Sequence, residues 1–214
     1  IVHTHPGSVS LLRIQYRMHE DIMRFPSRWF YHNALIAAPE VKHRGILDYD
    51  TTVTWIDTSE RECEEKTVGE GTGRLNTGEA ELLLHQLRLY MERIGHDRLL
   101  DERIDFGVIS PYRAQVQYLR HLIRRTPFFR PFRHLITVHT VDGFQGQERD
   151  VIFISLVRAN ASGQIGFLRD LRRMNVAITR ARMKLVILGD TATLTRHPFY
   201  QALHEYILSH ASTP

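Results

Sequence analysis

The sequence predicts an α/β fold in which a mainly parallel sheet carries helices on both sides, and three observations lead to it. Short apolar stretches of strand length alternate with longer stretches of helical period, the pattern of strands joined by crossover helices. Residues 151–157, VIFISLV, form a continuous apolar run, as expected of a strand buried on both faces. With 214 residues and 43% hydrophobic content the chain can bury a core on each side of such a sheet. No internal repeat or linker divides it, so residues 1–214 read as a single domain.

Residues 11–16 read as a short strand. Residues 19–31 follow as a helix carrying Ile22, Met23, Phe25, Trp29 and Phe30, with Pro26 expected to kink or restart it. Residues 53–57 are a second strand. Residues 59–75, SERECEEKTVGEGTGRL, are polar, acidic and glycine-rich with no apolar period, which predicts an exposed mobile loop. In residues 76–94, Ala80, Leu83, Leu84, Leu87 and Met91 make a helical stripe that Asn76 or Thr77 can cap. The pattern continues with a strand at 106–110, a helix at 114–125, and strands at 136–141 and 151–157. An arginine-rich helix at 169–182, a strand at 185–188 and a last helix at 197–209 complete it. Ligands of such sheets bind beyond the C-terminal ends of the strands.

Composition sets bounds on function. The formal net charge of +4 decides little, but only Lys42, Lys66 and Lys184 are lysines. Arginine therefore carries nearly all the positive charge, which suits bidentate contact with phosphate or carboxylate and equally suits an arginine-rich codon usage. Cys63 is the only cysteine, so an intrachain disulfide and a cysteine-based zinc site are excluded, and a reducing, intracellular compartment, cytoplasmic or nuclear, is expected. No stretch is apolar enough to span a bilayer, and no membrane partner is expected. The opening IVHTHPGS lacks the order of a signal peptide and reads as a boundary inside a longer protein. The thirteen histidines show no metal-ligand spacing.

The chemistry is concentrated in residues 138–158, VHTVDGFQGQERDVIFISLVR, and 169–182, RDLRRMNVAITRAR. Gly143 and Gly146 permit close backbone approach, while Gln145 and Glu148 can bond the polar groups of a nucleotide. Leu171, Met174 and Ile178 form an apolar stripe, and Arg169, Arg173 and Arg180 share another face that becomes favourable opposite an anion or a row of acids. In QYRMH, residues 15–19, Tyr16 offers a flat face for a base and Arg17 a planar fork for phosphate; the plainer reading pairs Arg17 with Glu20 or Asp21 and buries Tyr16. Ser110, Pro111 and Tyr112 end a strand and open a helix, where hydroxyl and N–H groups can receive a backbone phosphate. From Arg113 to Arg133 there is no acid, and Phe128, Phe129 and Phe132 lie among the arginines. That patch either stacks bases and neutralises phosphates or docks a hydrophobic loop on the core. Equally informative is the absence of GxxxxGK[ST] and of a paired-carboxylate strand end, the parts that cradle phosphate and hold magnesium. Residues 69–73, GEGTG, have no lysine after them and sit among glutamates that repel phosphate.

The segments DGFQGQE, NVAITRAR and QYRMH resemble motifs of superfamily 1 helicases of the up-frameshift and senataxin-like branch. The resemblance covers the chain from about Leu11 to its end. It implies the C-terminal, second RecA-like motor domain, a three-layer P-loop NTPase fold without the P-loop. It further implies ATP with Mg2+, both held mainly by the first RecA-like domain of the same protein, and single-stranded DNA or RNA as the partner. By the same resemblance Tyr16 lies against the base, Glu148 on the ribose, and Arg17 and the arginine finger Arg180 on the γ-phosphate. Gln145 and Gly146 couple this site to the nucleic-acid track, where His139, Thr140, Ser110, Pro111 and Tyr112 belong. Asn76 and Glu79, in NTGEAE, match a further family segment or simply cap a helix. Glu20 stands where the family usually has proline, which puts the local turn in question. The chain alone is expected not to hydrolyse ATP. The alternative is a nucleic-acid-binding or interaction module that keeps the fold and hydrolyses nothing; the repair and recombination branch of the superfamily fits QYRMH and DGFQGQE less well.

Overall fold

The computed structural model describes residues 12–69 and 71–211. In chain order the elements are β1 (Ile14–Gln15), α1 (Glu20–Phe30), β2 (Ile36–Ala37), α2 (Pro39–Lys42), β3 (Val53–Asp57), β4 (Lys66–Val68), β5 (Gly73–Leu75), α3 (Thr77–Ile94), α4 (His96–Asp101) and β6 (Phe106–Ser110). They continue with α5 (Arg113–Arg125), β7 (Ile136–Thr140), β8 (Arg149–Ser155), α6 (Leu171–Ile178), β9 (Ala181–Gly189), α7 (Thr191–Leu194) and α8 (Pro198–Ala211). Five strands form one sheet in the order β3-β9-β8-β6-β7, and every neighbouring pair is parallel.

The apolar run in β8 supports both faces of this sheet. Val151 and Phe153 enter a core with α3 and α5, while Ile152 and Ile154 enter a second core with α1, α6 and α8. This alternation follows from the two-residue repeat of a strand, and it gives the molecule the three layers that the RecA-like expectation calls for. On α3 the expected stripe of Ala80, Leu83, Leu84, Leu87 and Met91 is buried throughout. The cap is Asn76, whose side chain accepts from the Glu79 N–H at 2.9 Å.

Four expectations need correction. Helix α1 runs unbroken through Pro26, which lies on its buried side with Ile22, Met23 and Phe25. The segment 59–75 is not a structureless loop: β4 and β5 pair as an antiparallel hairpin, and Cys63 is buried. The arginine-rich helix stops at Ile178, because the Thr179 hydroxyl donates back to the carbonyls of Asn175 and Val176 and β9 begins at Ala181. Arg180 therefore lies in the turn between helix and strand, and does not share a helical face with Arg169 and Arg173. Of the first expected strand only Ile14–Gln15 is formed, paired with β2 and outside the main sheet; Leu11 lies outside the described residues.

One connection positions the site. Residues 141–148 join the C-terminal end of β7 to the N-terminal end of β8, with β6 lying between the two strands. The segment descends across the sheet face: a Cβ on Gly107, in β6, would crowd the Phe144 ring, so the glycine allows Phe144 to pack flat on the strand. Higher up, a Cβ on Gly143 would overlap the His139 imidazole. The crossover is held against both strands by these two close approaches.

Candidate functional site

At the N-terminal edge of the sheet the starts of β8 and β9 lie side by side, with Arg149 opposite Ala181. The turn after β1 is fastened there by the His19 N–H, which donates to the Arg182 carbonyl at 2.8 Å. His19 also caps α1, its Nδ1 accepting from the Asp21 N–H at 3.1 Å; burial holds its pKa below the ordinary histidine value, as suits a neutral acceptor. This clasp carries Arg17 to Glu148, and the two form a charge-assisted hydrogen bond between Nε and Oε2. Arg17 Nη1 donates to the Thr179 carbonyl at 3.2 Å. Neither Glu20 nor Asp21 pairs with Arg17; both instead bind Arg24 on α1.

Arg180 is half-buried beside this pair. Its Nε donates to the Val176 carbonyl at 3.0 Å and its Nη1 to the Gln147 carbonyl at 3.2 Å. Burial, and then the Arg17 charge, pull its pKa below the usual arginine range. Arg182 bridges Asp105 and Asp150 at 3.1 and 3.0 Å, and the two aspartates exchange backbone N–H bonds at the strand starts. Asp150 thus orders the turn through Arg182, and burial raises its pKa. Arg44, which carries no sequence signal beyond being an isolated arginine, completes the group. Its Nη2 donates to the Arg17 carbonyl, its buried Nε has no partner, and burial and then Arg182 lower its pKa.

The group holds five guanidinium groups, of Arg17, Arg44, Arg149, Arg180 and Arg182, against three carboxylates, of Asp105, Glu148 and Asp150. Two positive charges are in excess where burial already weakens their hydration. An anion with several oxygens would relieve the mutual repulsion. Tyr16 stands next to this group with its side chain 67% exposed, so it is not a core residue. Gln145 and Gly146 are exposed on the crossover, with Gly146 at φ +80°. The cluster lies at the N-terminal edge of the sheet, not at the C-terminal ends where the sequence reading put it. The reason is that β1 lies outside the main sheet and that Glu148 is delivered by the descending crossover.

The other predicted residues lie at the opposite, C-terminal edge. His139 and Thr140 are half-buried at the end of β7, and Pro111 is half-buried after β6. Ser110 is fully buried, its hydroxyl accepting from the Tyr112 N–H at 3.4 Å. Tyr112 is 3% exposed and its hydroxyl accepts from Arg158. Neither side chain faces solvent: Ser110 is the last residue of the fully buried strand β6, and Tyr112, two residues on, turns inward. Phe129 and Phe132 are core residues too, which answers the open question about their patch in favour of docking.

A buried polar network runs beneath this edge. Gln115 exchanges hydrogen bonds with the Asn76 backbone and donates to Ser155 at 3.0 Å; Ser155 in turn donates to Glu79 at 2.5 Å. Glu79 also accepts from the Val157 N–H at 2.8 Å, holding Val157 at φ +71°. A β-branched residue is strained in that region and needs such a restraint. Glu79 is wholly buried, and desolvation pushes its pKa up to about 7.

A family model described as an AAA domain matches residues 1–192. The chain is 36% identical to an uncharacterised ATP-dependent helicase of Methanocaldococcus jannaschii, over 98% of this chain and 31% of that protein. It is 37% identical to the DNA polymerase alpha-associated DNA helicase A of Saccharomyces cerevisiae, over 88% and 28% respectively. Helicase sen1 of Schizosaccharomyces pombe is 37% identical over 95% of this chain and 12% of its own length. The chain thus spans less than a third of these relatives.

Proposed function

The chain belongs to the AAA-domain family, and on that premise we propose that it works as the second motor domain of an ATP-dependent superfamily 1 helicase or translocase acting on single-stranded DNA or RNA. The observation that carries this reading is the positive excess at the N-terminal sheet edge, built from the two segments whose sequences resemble helicase motifs. A nucleoside triphosphate fits it, because the cluster is short of negative charge.

In this proposal Arg17 and Arg180 hold the terminal phosphate, Glu148 takes the ribose hydroxyls, and the exposed face of Tyr16 receives the base. Arg44 and Arg182 act one step back. Arg182 neutralises Asp105 and Asp150, and Arg44 fixes the Arg17 backbone. ATP supplies the phosphoryl group whose transfer to water drives the cycle. Mg2+ is assigned to the first motor domain, as the family resemblance implies. Arg17 and Arg180 then stabilise negative charge on the phosphate being transferred, and the cleft stays closed only while that phosphate remains. Gln145 and Gly146 lie on the crossover linking this edge to His139 and Thr140, where the nucleic acid is held; Pro111 is a further contact there.

The test uses the complete protein in which this chain follows a P-loop domain. Arg180→Ala is expected to abolish ATP hydrolysis stimulated by single strands while leaving single-strand binding within about twofold; normal hydrolysis would remove the arginine-finger role. The 214-residue chain alone is expected to show no turnover, and strand-stimulated turnover would overturn the division of labour between two domains.

A further inference from the structure

We propose that Phe167 and the cavity beside it form a stacking site for one base of a single strand, a contact of the C-terminal sheet edge that no helicase-like motif of the sequence contains. The proposal rests on the single-strand reading given above.

The cavity, of about 230 Å³, opens between the β4–β5 hairpin and the turn 166–169, and is lined by Thr72, Arg74, Tyr112, Arg158, Gln164 and Phe167. It is below the size of a site for a drug-like molecule, and suits a single flat ring system. Phe167 is 46% exposed, although the residues on each side of its turn, Ile165 and Leu168, are almost completely buried. The turn is braced: Tyr200 donates to the Leu168 carbonyl at 2.7 Å, and Asn160 binds both the N–H and the carbonyl of Gln164. Phe167 is therefore held outward by a rigid support. One side of its ring leans on Tyr112, with centroids 5.7 Å apart, and the rest is open.

The surroundings carry the charge that a strand requires. Within the cavity Arg74 and Arg158 share the single carboxylate of Glu65, leaving one positive charge in excess. Arg169, on the same turn, and Arg172, at the start of α6, are exposed, and their side chains form no ion pair or hydrogen bond among the described residues. The site is continuous with the edge already argued to hold nucleic acid, since Tyr112 follows Pro111 and Arg173 pairs with Asp142, two residues after Thr140. An exposed aromatic face ringed by arginines is the arrangement that binds single strands without reading sequence: the ring stacks a base and the guanidinium groups meet phosphates.

The experiment replaces Phe167 with tryptophan as a stacking reporter, and with leucine, which keeps bulk but loses the ring. Phe167→Trp is titrated with DNA and RNA oligonucleotides and with an abasic strand of equal length, after subtracting the signal of the unsubstituted chain, which holds Trp29 and Trp55. Base-containing strands are expected to quench the new tryptophan, and the abasic strand to bind through its phosphates without quenching. Phe167→Leu is expected to weaken binding of base-containing strands by roughly five- to a hundredfold and that of the abasic strand by less than about twofold. If the unsubstituted chain binds strands but the tryptophan is not quenched, or is quenched equally by the abasic strand, the stacking site is refuted and the broader reading stands. If the unsubstituted chain binds no strand at all, both fall together.

Discussion

Replacing Glu79 with glutamine should remove a pH dependence of stability that the buried network imposes. The side chain is 0% exposed; one oxygen accepts from Ser155 and Val157, and the other has no partner. Desolvation outweighs the two donated hydrogen bonds and lifts the pKa from 4.5 to about 7. Each tenfold change in proton affinity is worth 1.36 kcal/mol, so the lift corresponds to about 3 kcal/mol. The sign follows from which state holds the proton. Below about pH 4.5 both folded and unfolded chains carry it and stability is at its full value. As pH rises the unfolded chain releases the proton first, so stability falls until the folded carboxyl also ionises near 7. Glutamine stays neutral at every pH; its NH2 brings two N–H groups where the acid has one O–H, a cost that is constant with pH and does not alter the slope. Urea unfolding of both proteins from pH 4.5 to 8 isolates the effect, since all other groups titrate alike. The glutamine variant should gain about 3 kcal/mol over the wild type across that range. Parallel profiles, differing by a constant within about 0.5 kcal/mol, would show that Glu79 ionises at its ordinary pH, and the reasoning from burial would fail.

Two further substitutions test the frame of the site. Arg182→Ala leaves Asp105 and Asp150 facing each other without their shared cation and is expected to destabilise the fold by roughly 1–3 kcal/mol, less than for a fully buried pair because the groups are partly exposed; a denaturation midpoint equal to wild type would show that the bridge contributes nothing. Gly143→Ala drives a methyl group into the His139 ring and should cost roughly 1–3 kcal/mol, most of it recovered in the double variant Gly143→Ala/His139→Ala; additive losses in the cycle would refute the steric account.

How much was legible depended on whether an element announces itself by apolar period. Strands 53–57 and 106–110 and the long helix α3 do so, and they were read with their ends nearly in place. The β4–β5 hairpin does not. Its residues are exposed or half-exposed, with no alternation to mark two strands, and what fixes it is distant: Glu65 binds Arg158 across 93 positions of sequence. The end of α6 was missed because Ala-Ile-Thr-Arg-Ala-Arg has good helical composition, while β9 claims its last residues through pairing with β8. Among site residues, motif chemistry pointed to Arg17, Glu148 and Arg180, and the fold brings them together. Arg44 could not be found that way, since its place depends on the path of the chain after α2. Ser110 and Tyr112 have hydroxyls suited to phosphate, yet the direction of a side chain beyond a strand end is set by packing. Only the structure shows that they face inward.

The proposed site divides its work between two edges of one sheet, and the crossover 141–148 is the physical tie between them. At its upper end Gly143 is pressed against His139; at its lower end Glu148 is held by Arg17. Arg17 and Glu148 satisfy each other, so a nucleotide bound in the proposed way would compete with this pair. Displacement frees both ends of the pair. The clasp of residues 15–19 loses one hold on the crossover, and the crossover loses one of the contacts at its lower end, where Arg180 still donates to the Gln147 carbonyl and Arg182 still faces Glu148, while its upper end stays locked against β7. Any movement released by the exchange is therefore directed along a segment whose other terminus adjoins His139 and Thr140. The proposed motor role would use such a coupling, and it depends on the crossover being short and close-packed: a longer connection would absorb the displacement before it reached the far edge.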